Sequence, residues 1–203
     1  MIIIWILAFI IAITIHEAAH AWTADKLGDP TARIMGRITL NPIKSVDIYG
    51  TIIIPLLLAL AGAPVLGWAK PVEFDPYNLK NPRKDSAIIS LAGPAINIIL
   101  ATFLSLIVRF IDLSPIIEIF FFAGMRVNVT LAIFNLIPIH PLDGGKILAG
   151  ILPNKEAAQF DLFLHRYGTI LLLFMIFPLF GGVSIVSQIV SPISSLLLGL
   201  LIP

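Results

Sequence analysis

The feature that most restricts this chain lies inside its first apolar stretch. Residues 2–24 read as one hydrophobic helix, yet residues 16–20 spell HEAAH, with two histidines and a glutamate in five positions. Placing such groups in hydrocarbon costs several kcal/mol each unless a partner compensates. Any fold open to this chain must bring that partner to His16, Glu17 and His20.

The medium follows from composition. The chain is 58% hydrophobic and 12% charged, where soluble domains run near about 25% charged. This marks an integral membrane protein whose first partner is the lipid bilayer. There are no cysteines, so no disulfide framework exists. A net charge of +1 without a clustered basic face gives no footprint for nucleic acid. The first 15 residues lack a basic leader and a small-residue cleavage site, so they read as a retained helix rather than a signal peptide.

The segment pattern predicts an all-α polytopic membrane protein with about five transmembrane helices. After the first helix, residues 31–50 are mixed, and the alternation in RIMGRITL (33–40) predicts a short β-hairpin or edge strand. Residues 51–67 are apolar but short and broken by Pro55, Gly62 and Pro64. A polar loop over 68–86 holds seven charged residues. Spans are predicted over 87–108 and 116–137, followed by PIHPLDGGKI and a charged loop to residue 166. Residues 167–180 and 183–202 read as a terminal helical hairpin turned at Gly181-Gly182. One domain over 1–203 is expected, with a catalytic core over about 1–150.

In HEAAH, positions i and i+4 share one helix face, so both imidazoles can reach one metal ion. Glu17 lies about 100° round the helix, placed to take a proton from metal-activated water. A zinc site needs a third protein ligand and an open fourth position. One motif family supplies glycine three residues, and histidine six residues, after the second histidine. Thr23 and Lys26 stand there, which excludes it. Asp143 is the outstanding acid: Pro138 and Pro141 break the chain before it, and Gly144 and Gly145 let the backbone pass close to something bulky. The bland alternatives are a proton relay at HEAAH and a helix-capping role for Asp143.

HEAAH in a membrane helix, GPAIN at 93–97 and NLIPIHPLDGG at 135–145 together resemble the site-2 protease family of intramembrane zinc metalloproteases. The resemblance runs from about residue 10 to 150 and points to a compact member without PDZ or CBS domains. It implies one zinc ion per chain, with His16, His20 and Asp143 as ligands and Glu17 as general base. It also implies that Asn135 positions substrate or stabilises the oxyanion, and that Asn97 is the asparagine of the GPxxN motif. A separation of eight residues keeps Asn135 on roughly the helix face that leads to Asp143. Asn97 reads equally well as a helix–helix hydrogen bond. His140 reads as a loop residue near the site, and His165 as a membrane-interface residue.

Depth and charge give the topology. For the ligands to share one depth, the helices bearing HEAAH and ending before Asp143 must run the same way. One of the two apolar segments between them therefore does not cross. The broken 51–67 stretch is the choice, as a re-entrant segment. This puts eleven of the thirteen Lys and Arg on one side, leaving Arg109 and Arg126 on the other. A crossing would split them seven to six. The positive-inside rule then places the site toward the cytoplasmic face of the cell membrane, with the N-terminus outside.

The expected activity is hydrolysis of peptide bonds in transmembrane-helix substrates, with Glu17 moving the proton and RIMGRITL pairing with the extended substrate. The rival readings are a non-enzymatic polar or metal-binding core for ion or proton passage, and a metal-dependent hydrolase acting on lipid or a small molecule.

Overall fold

The computed structural model describes residues 1–53, 57, 70–178 and 182–202. Among these residues the structure is all-helical and contains no strand. The elements are α1 (Ile2–Leu27), α2 (Thr31–Ile34), α3 (Pro42–Ser45), a π-helical turn (Ile48–Ile53), a 3-10 turn (Pro76–Asn78), α4 (Pro82–Phe110), α5 (Pro115–Asn135), α6 (Asp143–Ile151), α7 (Asn154–Ile176) and α8 (Ile185–Leu201).

Three of these, α1, α4 and α5, are long and apolar enough to cross a membrane. They start and stop where local chemistry dictates. Proline opens both α4 and α5, where its missing N–H costs nothing. α1 ends at Gly28 with φ +113°, a left-handed conformation that favours glycine. The Gly28 and Asp29 amides then close the helix by donating to the carbonyls of Asp25 and Ala24.

α4 is the hub of the bundle, packed against α1, α5 and α6. The buried face of α1 is made largely of small residues, Ala8, Ala12, Ala21 and Ala24. Small side chains let helix backbones approach closely where lipid supplies no hydrophobic drive between helices. Larger side chains point outward: Ile99, Phe103 and Phe110 on α4 are exposed, as suits a surface solvated by acyl chains. A second core joins α5 to α7 and α8 through Met125, Val129, Ile133, Leu172, Ile176, Val190 and Leu198. The Ser105 hydroxyl donates to the Leu201 carbonyl, fastening the end of α8 to α4.

The end of α1 and the approach to α4 are tied through one buried side chain. Asp29 accepts from the Thr31 amide (3.1 Å) and hydroxyl (2.6 Å), the Asp75 amide (2.7 Å) and the Asn78 side-chain amide (2.8 Å). The chain therefore leaves α1 and re-enters at α4 on the same end of the bundle. Burial alone raises the Asp29 carboxyl, but these donated hydrogen bonds outweigh it and hold the group below the usual carboxylate range.

Two expectations are corrected. RIMGRITL forms no hairpin: Thr31–Ile34 is a helical turn, closed by Arg37 N–H on Ala32 O at 2.8 Å and turned at Gly36 with φ +64°. Asp29 and Pro30 set a turn that overrides the alternation, and among the described residues no neighbouring strand exists to reward an extended chain. The charged stretch before residue 166 is also not a loop, because α7 already begins at Asn154. The predicted re-entrant stretch 51–67 falls largely outside the described residues, as does Gly181 of the predicted turn.

Candidate metal centre

His16 and His20 lie on the buried face of α1, one turn apart. Their rings meet edge to face with centroids 4.5 Å apart, and the two Nε2 atoms are 3.0 Å from each other. Asp143, the first residue of α6, brings Oδ2 to 3.2 Å from His16 Nε2 and 3.3 Å from His20 Nε2. Leu142, not Asp143, occupies the N-cap position of α6.

The other ring nitrogens are committed elsewhere. His20 Nδ1 lies 2.7 Å from the Ile89 carbonyl, which can only accept, so Nδ1 carries the hydrogen. His16 Nδ1 lies 3.0 Å from Asn97 Oδ1, with the same consequence. In the neutral rings both Nε2 atoms then present lone pairs, and they face a carboxylate oxygen. Asp143 Oδ2 is buried with no hydrogen-bond donor assigned to it. Three acceptors converging in a buried site repel one another unless a cation lies among them.

The residues fit a zinc ion. Ligands at about 2.0–2.1 Å in tetrahedral array stand about 3.3 Å apart, close to the separations of 3.0, 3.2 and 3.3 Å between these donor atoms. All three lie within 4.8 Å of one another, the one such cluster of His, Cys, Asp or Glu among the described residues. Space is kept for it by Gly93 of α4. A Cβ there would strike His20 Nε2 and come within 2.6 Å of His16 Nε2.

Glu17 stands beside this cluster, buried, with Oε2 accepting the Val72 amide at 2.9 Å. The extended segment 70–75 thus passes over the site. It is pinned by the Asp75 amide on Asp29, and Phe74 packs with Ala24, Leu27, Leu79 and Ile89.

The remaining sequence candidates separate. Asn97 is completely buried and bonded to His16. Asn135, at the end of α5, is half-buried and turns its amide to its own helix, donating to Leu131 O at 3.0 Å. Among the described residues no hydrogen bond links Asn135 to the three converging side chains. His140 stacks on His165 at 4.6 Å. Burial, then the neighbouring His165 and Lys146, holds the His140 imidazole below its ordinary value. Gly144 and Gly145 admit the chain's own backbone, Leu136–Ile137 and Ile139–His140, rather than the cluster. The glycine that faces the imidazoles is Gly93. Sequence reasoning also missed Asn128, whose Oδ1 accepts from Asn97 Nδ2 at 3.0 Å. A lone asparagine in an apolar helix carries no spacing signal.

Comparison with known proteins agrees with this geometry. The model of Peptidase family M50 matches residues 4–120 and 110–175. The chain is 34% identical to YwhC of Bacillus subtilis over 87% of its length and 85% of that protein. It is 33% identical to Rip2 of Mycolicibacterium smegmatis over 77% of its length and 60% of that protein. It is 26% identical to the zinc metalloprotease MJ0392 of Methanocaldococcus jannaschii over 75% of its length, spanning 36% of that larger protein. No solved structure matches. This integral membrane protein belongs to peptidase family M50, the site-2 protease family of zinc metalloproteases.

Proposed function

We propose that the chain is an intramembrane protease that cleaves peptide bonds of transmembrane-helix substrates, with His16, His20 and Asp143 holding one zinc ion and Glu17 as general base. The observation that carries this reading is the meeting of two imidazole Nε2 atoms and one carboxylate oxygen within 3.3 Å, with both Nδ1 atoms already committed to other acceptors.

Zinc, when bound, supplies a Lewis acid that polarises a carbonyl and lowers the pKa of water toward about 7. The rest is the work of this chain's side chains. The Ile89 carbonyl and Asn97 hold the two imidazoles in the ligating tautomer. The Val72 amide anchors one oxygen of Glu17, so the carboxylate stays beside the site. Glu17 takes the proton of the attacking water and returns it to the leaving amine. The substrate helix must unwind before attack, since its amides are sequestered in the helical ladder. Asn135, at the end of α5, would contact the substrate only after turning from Leu131.

The topology proposed is five spans with 51–67 re-entrant, the site toward the cytoplasmic face of the cell membrane and the N-terminus outside. Support comes from the Asp29 ties to Asp75 and Asn78, which place residues 29 and 75 on one end of the bundle. The distribution of Lys and Arg agrees with it.

The test is cleavage of a membrane-helix substrate by purified protein in detergent or liposomes. Cleavage that stops with a chelator and with Glu17→Gln supports the proposal. Robust cleavage by Glu17→Gln, or none by the zinc-loaded wild type over a panel of membrane helices, overturns it in favour of a non-enzymatic core.

A further inference from the structure

We propose that Asn128 of α5 is a positioning residue for His16. Acting through Asn97, it fixes which nitrogen of the imidazole carries hydrogen, and so which nitrogen is offered to a metal. The inference rests on the metal centre proposed above.

Four groups on three helices form one chain of hydrogen bonds. His16 Nδ1 meets Asn97 Oδ1 at 3.0 Å, Asn97 Nδ2 meets Asn128 Oδ1 at 3.0 Å, and Asn128 Nδ2 meets the Gly124 carbonyl at 2.8 Å. His16, Asn97 and Asn128 are 2%, 0% and 2% exposed, so the links are shielded from bulk water.

The direction of this chain is set at its far end. An amide side chain has one accepting and one donating terminus, and rotating it by half a turn exchanges them. A carbonyl has no hydrogen to give. Gly124 O therefore forces Asn128 to point Nδ2 at it and Oδ1 at Asn97. Asn97 must answer with Nδ2, which turns its Oδ1 to His16. The imidazole must then donate from Nδ1, and in its neutral form that leaves Nε2 as the lone pair facing His20 and Asp143. Remove Asn128, and Asn97 is free to rotate and offer a donor to Nδ1, which favours the opposite tautomer. His20 needs no such relay, because its Nδ1 partner is itself a main-chain carbonyl.

An asparagine that merely glues α4 to α5 would carry none of this direction, which gives a sharp test. Zinc affinity of detergent-purified protein is measured by chelator competition for wild type, Asn128→Leu, Asn97→Asp and the double variant, with thermal melting of the metal-free proteins alongside. A carboxylate at position 97 accepts from His16 whichever way it rotates, so it makes Asn128 dispensable. The expected result is a loss of about tenfold or more in zinc affinity for Asn128→Leu, and no loss when the same change is made in the Asn97→Asp background. Asn128→Asp serves as a second variant: buried and neutral, it donates to Gly124 and accepts from Asn97, and is expected to keep affinity within a few-fold. Zinc affinity of Asn128→Leu within twofold of wild type overturns the relay, as does an equal loss in both backgrounds or a change confined to melting temperature. Zinc affinity that ignores His16→Ala overturns the metal centre itself, a separate outcome.

Discussion

His16 and His20 face each other nitrogen to nitrogen across 3.0 Å, with Asp143 closing the triangle at 3.2 and 3.3 Å. Like groups do not settle at that distance without a reason. Removing zinc should therefore cost folding stability as well as activity. Saturating metal at about a hundred times its dissociation constant adds about 2.7 kcal/mol to the folded state. A melting temperature that climbs with zinc in wild type, and stays flat in Asp143→Asn, is the expected result.

Glu17 separates chemistry from binding. Glu17→Gln keeps the shape and the Val72 bond while removing the proton acceptor. Zinc affinity should hold while cleavage falls by about 10²–10⁴-fold. The paired measurement is zinc competition against turnover of a membrane-helix substrate.

Gly93 is held to glycine by the site and not by its helix. Alanine is the better helix former by up to about 1 kcal/mol, but its methyl would land on the two ligand nitrogens and force the buried imidazoles apart, so the metal-free Gly93→Ala chain should melt lower than wild type. Zinc binding and cleavage should both be lost, and cobalt absorption titrations would read that directly.

Asp29 predicts a pH response at the junction of α1 and α4. Its folded-state carboxyl lies below the usual range, so its contribution is fully present above about pH 4. It is lost as pH falls through the lower folded value, when the carboxylate becomes protonated. Protection of the Asp75 amide from hydrogen exchange, taken relative to an unstructured amide at the same pH, should fall on acidification in wild type. Asp29→Ala should show that low protection already at neutral pH and lose about 2 kcal/mol or more, because it strands buried donors.

What could be read from sequence was local in the chain. The i, i+4 spacing of His16 and His20 fixes a shared face from helix geometry alone, and Asp143 is flagged by the prolines and glycines around it. The long apolar runs gave α1, α4 and α5 to within a few residues at most ends. Contacts between distant segments were illegible. Nothing in the neighbourhood of Asn128 marks it as a link to His16, 112 positions away, and Gly93 is only the first residue of GPAIN until the imidazoles lie against it. RIMGRITL failed for the opposite reason. Its pattern of alternation was real, but the turn set by Asp29 and Pro30 decided the backbone. The charges of 155–166 suggested a loop because polarity was taken for irregularity, whereas they form the wet end of α7.

The two imidazoles differ in what secures them. The anchor for His20 is a peptide carbonyl at position 89, which any residue placed in that stretch of α4 still provides. The anchor for His16 is written in side chains, so a single codon change can erase it. Random mutagenesis of the two helices beneath this centre should therefore yield a lopsided map, with loss-of-function hits crowding the His16 side while the residues behind His20 tolerate replacement.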